Sequence, residues 1–202
     1  MCMDTEPKFP DKKVTVMAVG SGAMNIINRL SDKISEDKNL NLLCVNTDKQ
    51  ILKLSKVKTL QIGKKTANGL GCCGDIEKGK RAAEESREQI INKIKNSNLL
   101  ILIICLGAGS TGAGVYISEI AKEMQIKTAA LVTIPFSFEG PKRNKIALDG
   151  LDVLKEYTDV YTYKNDDIWE KVKRTMMMKD AFSVVDSLMA ENILSIMKEN
   201  QR

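Results

Sequence analysis

The sequence predicts an α/β protein with a doubly wound, mainly parallel six-stranded sheet that is flanked by helices and ends in a long helix. Two observations predict this fold class. Six short runs of apolar or β-branched residues alternate with helix-patterned segments, and strands covered by helices on both faces read as such continuous apolar runs. The alternation also implies right-handed crossovers between parallel strands. A length of 202 residues fits one domain with a sizeable core.

The candidate strands are short, and most of them end at Gly, Asn or Pro, residues that commonly bound a strand. They cover residues 14–19, 42–45, 57–62, 99–106, 127–134 and 160–163. The candidate helices lie between and after them, with apolar residues at helical spacing. They cover residues 25–34, 49–54, 75–94, 114–124, 143–157 and 166–174.

The last candidate helix, residues 180–200, has an unusually wide apolar stripe. Placed at about 100° per residue, its apolar side chains span roughly 220°, about twice the width that a one-sided surface helix needs. Either the helix is buried deep in the core, or it has a second apolar face for something that the 202 residues do not supply. We favour the second interpretation because the chain stops at Arg202, directly after this helix.

Composition and charge exclude several classes of protein. The 31 basic and 26 acidic residues are interspersed, which does not predict a nucleic-acid partner. The longest apolar run, residues 99–106, is far shorter than the roughly 18 to 20 residues of a membrane span. Residues 1–11 are expected to form a disordered tail and lack a signal-peptide core, which favours a cytoplasmic location. The five cysteines are odd in number and are expected to be reduced thiols.

Four stretches follow strands, where ligands bind in open parallel sheets. Residues 20–25 and 107–114 each lead small residues into a helix, so backbone N–H groups could approach a phosphate there. Residues 68–75 form a glycine-containing loop that could fold over a terminal phosphate. Residues 135–143 present Glu139, which could accept hydrogen bonds from a ribose, and Arg143, which could pair with phosphate. Two phosphate-cradle candidates on one sheet favour a nucleotide site over two ordinary turns.

These stretches resemble the FtsZ cell-division GTPases, which are relatives of tubulin. The matching motifs stand in the family's order and spacing from about Lys12 to the C-terminus, so we expect an FtsZ/tubulin-like GTP-binding domain over residues 12–202. They are residues 20–25, Val45-Asn46-Thr47-Asp48, residues 69–71 with 82–86, residues 107–114, residues 132–140 and Asn165-Asp166.

The resemblance implies a guanine-nucleotide site that binds GTP or GDP. Whether Mg²⁺ is bound with the nucleotide stays open at this point. The first nucleotide loop would contain Gly20, Ser21, Gly22 and Asn25. The loop that wraps the phosphates would contain Gly107, Gly109, Ser110, Thr111 and Gly112. The loop that senses the γ-phosphate would contain Gly71, Cys72 and Cys73. The remaining contacts would come from Glu139, Arg143 and Asn165 near the sugar, the stacking ring of Phe182 and the guanine-reading carboxylate of Asp186. No residue of the chain is predicted to be catalytic.

Two departures from the family's pattern bear on activity. The family's loops are nearly all glycine, and the loop at 107–114 is one residue shorter here. The replacing side chains are Ser21, Ala23, Met24, Cys72, Cys73, Ala108 and Ser110. Because a Cβ atom restricts positive φ and close approach to phosphate, we expect weakened nucleotide binding. The 202 residues also lack the second domain and the acid-bearing loop that completes a neighbour's site, so GTP hydrolysis is expected to be weak or to depend on a head-to-tail FtsZ-like partner subunit.

Several alternatives remain beside this interpretation. The chain could be a non-catalytic regulator or end cap of FtsZ filaments, or a truncated remnant, and Asp186 could be an ordinary acid on the polar edge of a helix. An NAD-linked oxidoreductase would use Asp48 to bind ribose, but it leaves residues 107–114 without a role, and the chain has no His for proton transfer. A zinc site at Cys72 and Cys73 lacks two further ligands at suitable spacing.

Overall fold

The computed structural model describes residues 12–34, 38–170 and 177–199. Its centre is a six-stranded sheet in the order β3-β2-β1-β4-β5-β6, and every neighbouring pair is parallel. The strands are β1 (Val14–Val19), β2 (Leu40–Asn46), β3 (Lys58–Gln61), β4 (Leu99–Cys105), β5 (Lys127–Ile134) and β6 (Asp159–Lys164). The predicted doubly wound α/β fold is confirmed. The predicted tail at residues 1–11 lies outside the described residues.

Helices connect the strands and cover both faces of the sheet. They are α1 (Ser21–Lys33), α2 (Lys49–Leu52), α3 (Lys64–Ala67), α4 (Ile76–Glu85), α5 (Arg87–Ile94), α6 (Gly109–Glu123), α7 (Pro141–Lys155) and α8 (Met178–Glu199). Short 3-10 helices lie at Ser137–Glu139 and Asn165–Glu170. The chain ends in a long helix, as expected, and no helix in the described part of the chain is long and apolar enough to span a membrane.

The prediction of one helix over residues 75–94 is wrong, because the segment is divided into α4 and α5 at Ser86. Ser86 has φ −103° and ψ 15°, and it is buried. Its hydroxyl oxygen accepts a hydrogen bond of 2.9 Å from the backbone N–H of Gly63, in the turn after β3. The side chain of Ser86 thus bonds to the turn after β3, at a position where the periodicity alone predicts a continuous helix.

Other helix boundaries differ from the predictions. Helices α1 and α6 begin at Ser21 and Gly109, so most of the small-residue stretches at 20–25 and 107–114 form the first turns of helices. The predicted helix at 166–174 is a 3-10 helix as far as Glu170, and residues 171–174 lie outside the described residues. The one-turn helix α3 was not predicted, since its four residues are too few to show periodicity.

The core consists of two layers, one on each face of the sheet. Along β1, Val16 and Ala18 belong to the layer that includes buried residues of α1 and α8. Met17 and Val19 belong to the layer formed with α4, α5, α6 and α7. This alternation along one strand fixes the register of the central strands, because a shift by one residue would exchange the two layers.

Helix α8 packs against α1 and lies in the same core layer as the central strands. Its buried side chains are Val185, Met189, Ala190, Ile193, Ile196 and Met197. Val184 and Leu188 are half-buried, and Phe182 is 39% exposed. The expectation of a second, uncovered apolar face is therefore wrong for the six buried side chains, which belong to the core of this domain.

Candidate functional site

The candidate site lies where the strand order reverses. Strands β1 and β4 are neighbours, while β2 and β5 lie on opposite sides of this pair. The chain therefore leaves the two strands in opposite directions and opens a crevice at their carboxyl ends. Two adjoining cavities occupy this crevice, and both are lined by Gly22, Cys105 and Arg143.

The smaller space, of about 400 Å³, is here called the glycine cavity. The start of α1, the start of α6 and the loop after β3 and α3 form its walls. Its lining includes the predicted residues Gly20, Ser21, Gly22, Gly71, Cys72, Cys73, Gly109 and Ser110. The two small-residue stretches thus meet at one cavity, as their positions after neighbouring strands led us to expect.

The contact between these two stretches is very close. Gly20 has φ +91°, and a Cβ atom added to it would lie 2.9 Å from Cβ of Ser110. The hydroxyl of Ser110 donates a hydrogen bond of 2.6 Å to the carbonyl of Cys105. Neither α1 nor α6 has an acidic residue in its first turn. Two helix N-termini with their partial positive charge therefore border the glycine cavity, an arrangement that suits an anion.

Two predicted residues lie behind the wall of this cavity and not in it. Thr111 is buried, and its hydroxyl oxygen accepts hydrogen bonds from the N–H groups of Gly107 and, at 3.4 Å, Ala108. Gly112 faces α4, since an added Cβ atom would lie 2.2 Å from the carbonyl oxygen of Ile76. Gly107 lines a neighbouring opening to solvent together with Arg143. Thr111 and Gly112 thus support the loop from the side that faces away from the glycine cavity.

The replacements of glycine at Ala23 and Met24 do not narrow the site. Both side chains are buried in the core, where Ala23 packs beneath the sheet and Met24 packs against Cys44 and Leu52. Of the seven replacements expected to hinder a ligand, these two are therefore without effect on the space in the cavity.

The larger space, of about 670 Å³, lies between α1, α8 and the strand ends and is here called the α8 cavity. Its lining includes the predicted residues Asn25, Glu139, Arg143, Asn165, Phe182 and Asp186. Glu139 is held by a hydrogen bond of 2.8 Å from the backbone N–H of Phe136 and by an ion pair of 2.9 Å with Arg143. The ring of Phe182 packs edge-on against that of Phe136, with 5.1 Å between the centroids.

Asn165 lines the α8 cavity and has an unsatisfied polar atom in its side chain. Its side chain is buried, and among the described residues its Oδ1 has no hydrogen-bond partner. A buried acceptor without a partner costs about 1 to 3 kcal/mol. An unsatisfied buried group is uncommon in folded proteins, and its occurrence beside a cavity calls for a functional explanation.

Asp186 and Arg29 form a pair across the α8 cavity. The Oδ2 of Asp186 lies 3.6 Å from Nε of Arg29, and the guanidinium also donates a hydrogen bond of 2.6 Å to the hydroxyl of Ser183. Burial raises the pKa of the Asp186 carboxyl to about 6, against the opposing effect of Arg29. Near neutral pH the Asp186 carboxyl is therefore mostly ionised, and a small fall in pH protonates it.

Arg29, Asn46 and Thr47 are among the polar residues of the cleft that were not predicted as site residues, although Asn46 and Thr47 belong to the motif at residues 45–48. Arg29 stands one helical turn after Asn25, on the same face of α1, so its spacing could have indicated it. Asn46 donates a hydrogen bond of 3.2 Å to the hydroxyl of Ser21. The hydroxyl of Thr47 lies 3.3 Å from Sγ of Cys72. Asn46 is the last residue of β2 and Thr47 follows it, so the strand-end rule applies to both as well.

Small-residue helix starts at the switch point of a doubly wound sheet are typical of nucleotide-binding α/β domains, and this is the class that the fold and the cleft define. Within that class the chain belongs to the Tubulin/FtsZ family, because residues 13–173 match the model of the family's GTPase domain.

Individual relatives agree with this assignment. The chain is 40% identical over 187 residues to the cell division protein FtsZ of Aquifex aeolicus, which covers 91% of this chain and 50% of that protein. It is 34% identical to the structure of an empty FtsZ dimer from M. jannaschii, with a TM-score of 0.86 over 93% of this chain and 55% of that one. The chain thus spans about half the length of these relatives.

More distant structures share the fold. A GTPγS-bound protofilament of CetZ2 from Haloferax volcanii matches with a TM-score of 0.81 at 19% identity, over 94% of this chain and 59% of that chain. The resemblance to the FtsZ and tubulin family that the motifs predict is confirmed by these comparisons and by the family model.

Proposed function

We propose that this chain binds GTP and GDP in the joined cavities, as the GTPase domain of an FtsZ-like protein related to cell-division filament assembly. The observation that carries the proposal is the contact between Gly20 and Ser110, which brings two helix N-termini to one cavity. The phosphates occupy the glycine cavity, and the nucleoside occupies the α8 cavity.

The residues of the α8 cavity fit a guanosine. Guanine presents adjacent N1–H and N2–H donors, and a carboxylate such as that of Asp186 accepts both. The partly exposed ring of Phe182 offers a face for the base. The orphaned Oδ1 of Asn165 gains a donor from the ligand, and Arg143, where the two cavities meet, neutralises phosphate charge.

Binding of Mg²⁺ remains part of the proposal. Mg²⁺ is commonly held by substrate phosphates, water and one or two carboxylates. Asp48 lines the glycine cavity, and its Oδ1 accepts hydrogen bonds from the N–H groups of Gln50 (2.8 Å) and Ile51 (3.2 Å) at the start of α2. Asp48 could therefore orient water around a phosphate-bound ion through its other oxygen, while its position stays fixed by α2.

Calorimetric titration with GDP tests the guanine assignment. Asp186→Asn replaces one acceptor by a donor, and hydrogen bonds to a charged group are worth about 1.5 to 3 kcal/mol each, so GDP affinity should fall roughly 10- to 100-fold. Inosine diphosphate, which lacks the N2–H donors, should bind to the natural chain more weakly than GDP does. The Asp186→Asn variant should bind the two nucleotides equally well. The matched control is Glu191→Gln on the same helix, where Glu191 forms an exposed ion pair with Lys33. Equal loss of GDP affinity in both variants, or no loss in Asp186→Asn, would refute the assignment.

We further propose that residues 1–202 by themselves turn GTP over slowly and that a head-to-tail FtsZ-like subunit, in the cytoplasm, accelerates the reaction. Asp48, the acid of the glycine cavity, is engaged as the cap of α2 and is poorly suited to act as a base. General-base assistance is typically worth about 10²- to 10⁴-fold in rate.

Phosphate release from the chain alone and from mixtures with a full-length FtsZ-type protein measures this dependence. Turnover that rises with the mixed subunits supports a partner-dependent GTPase. Shortened filaments without added turnover would support the alternative of a non-catalytic regulator or end cap.

A further inference from the structure

Ser21 lies in the wall of the glycine cavity at a position where the resemblance to FtsZ leads us to expect glycine. It is the first residue of α1, it is exposed, and it lines the cavity together with Asn46. Ser21 is not among the described residues with positive φ, so its backbone conformation does not require glycine. What its hydroxyl can do in the cavity then depends on its hydrogen bonds.

The hydrogen bonds around Asn46 have a fixed direction. The backbone N–H of Asp48 can only donate, so the side-chain atom of Asn46 that lies 3.0 Å from it is the amide oxygen. The amide nitrogen of Asn46 therefore faces Ser21 and donates to the hydroxyl oxygen at 3.2 Å. Since an amide nitrogen cannot accept a hydrogen bond, the hydrogen of the Ser21 hydroxyl is left for another acceptor.

Ser21 differs in this respect from Ser110, the other serine of the glycine cavity. The hydroxyl of Ser110 donates its hydrogen to the carbonyl of Cys105 at 2.6 Å, so it has none left for a ligand. Within the described residues, no protein atom accepts the hydrogen of Ser21. The bonds that run from Asp48 through Asn46 to Ser21 also polarise this hydroxyl, which makes it a better donor.

We propose that the Ser21 hydroxyl donates a hydrogen bond to a phosphate oxygen of the bound nucleotide, so that serine at this position strengthens the binding of GTP and GDP. This inference rests on the proposed function of the two cavities. An anionic acceptor is favoured there because the N-termini of α1 and α6 both border the glycine cavity. A hydrogen bond to an ionised oxygen is roughly twice as strong as one between neutral groups. The added donor therefore outweighs the space that the Cβ atom takes from the ligand.

Calorimetric titration with GDP tests this role, because a donor and an obstacle predict opposite results. Ser21→Ala keeps the Cβ atom and removes the hydroxyl, so GDP affinity should fall about tenfold, the low end for a hydrogen bond to a charged group. Ser21→Gly should lose at least as much. Ser21→Thr keeps a hydroxyl and should stay within about threefold of the natural chain. A side chain that only obstructs phosphate predicts instead that Ser21→Ala binds GDP unchanged and that Ser21→Gly binds it more tightly.

The matched control is Ser31→Ala on the same helix. The hydroxyl of Ser31 donates to the carbonyl of Asn28, away from the glycine cavity, and its removal should change GDP affinity less than about twofold. An equal loss in Ser21→Ala and Ser31→Ala would overturn the inference, because the effect would then belong to α1 as a whole.

A second pair of variants tests where the Ser21 hydrogen points. Asn46→Asp keeps an oxygen for the N–H of Asp48 but turns the donor that faces Ser21 into an acceptor. The Ser21 hydrogen then bonds to that carboxylate, so Ser21→Ala in this background should lose less than about threefold in GDP affinity. A loss that stays near tenfold would overturn the inference, since the hydroxyl would then act by other means than the hydrogen that Asn46 leaves free.

The remaining outcomes are also decisive. GDP binding by Ser21→Ala and Ser21→Gly that equals or exceeds that of the natural chain would overturn the inference and leave nucleotide binding intact. A natural chain that binds no GDP would overturn the proposed function and this inference together. Urea unfolding checks that each variant is folded. Ser21→Ala and Ser21→Thr decide the question by themselves if Ser21→Gly does not fold or if Asn46→Asp binds too little GDP for the comparison.

Discussion

Replacement of Gly79 by alanine should displace the start of α6, which forms one wall of the glycine cavity. Gly79 lies on α4 where this helix crosses the start of α6. A Cβ atom added there would lie 2.0 Å from the carbonyl oxygen of Gly109 and 2.9 Å from its Cα. These are backbone atoms, which cannot turn aside as a flexible side chain can.

The size of the effect follows from this distance. Real Cβ atoms essentially never approach another heavy atom within 3.0 Å, so the two helices must separate by about 1 Å at the crossing. Overpacking of this kind costs about 1 to 3 kcal/mol, and the better helix propensity of alanine returns up to about 1 kcal/mol. We expect a net loss of about 1 to 2 kcal/mol in the free energy of unfolding. Because Gly109 lines the cavity, GDP affinity should also fall about tenfold.

Urea unfolding and GDP calorimetry measure both effects. The control is Lys80→Ala, an exposed position one residue along the same helix, which should change the unfolding free energy by no more than about 0.5 kcal/mol. If Gly79→Ala were as stable as the natural chain and bound GDP equally well, the close crossing of α4 and α6 would not be what shapes the cavity.

Two further predictions concern titration and a buried hydroxyl. Burial raises the pKa of Asp186 to about 6, so GDP affinity should weaken as the pH falls through 6, while the empty protein should gain stability over the same interval because the folded state binds the proton more tightly. The contribution of this carboxyl to both trends should be lost in Asp186→Asn, so the pH profiles of the two proteins should differ around pH 6, and identical profiles would contradict the assigned role. Ser86→Ala leaves the N–H of Gly63 without its acceptor and should cost about 1 to 3 kcal/mol in urea unfolding. A loss below about 0.5 kcal/mol would show that water replaces the hydroxyl.

The sheet could be predicted from the sequence because its inner strands β1, β4 and β5 are buried on both faces. Such strands read as apolar runs regardless of their neighbours, and β4 (Leu99–Cys105) is the clearest case. The division between α4 and α5 could not be predicted, since it depends on a hydrogen bond from Gly63, 23 residues before Ser86. The burial of the wide stripe on α8 was misjudged for a related reason. A helical wheel shows how much apolar surface there is, but not how deeply neighbouring elements enclose it.

The candidate site shows the same division. Positions after strand ends predicted most of the cleft, because strand direction alone brings Gly20 and Gly109 to one edge of the sheet. The sequence did not indicate that Thr111 and Gly112 face away from the cavity. Within the first turn of α6, some residues face the cavity and others face the helix behind it. The pairing of Asp186 with Arg29 joins two helices far apart in sequence and needed coordinates.

We propose that the joined cavities at the β1–β4 edge bind a guanine nucleotide. The most direct measurement equilibrates the purified chain with equimolar GTP, GDP, ATP and NADH, removes free ligand, and identifies by chromatography what acid releases from the protein. We predict guanine nucleotide in near-stoichiometric amount, with little adenine nucleotide. Retention of adenine nucleotide or NADH in equal or greater amount, or of no nucleotide at all, would show that the cavities are not a guanine-nucleotide site.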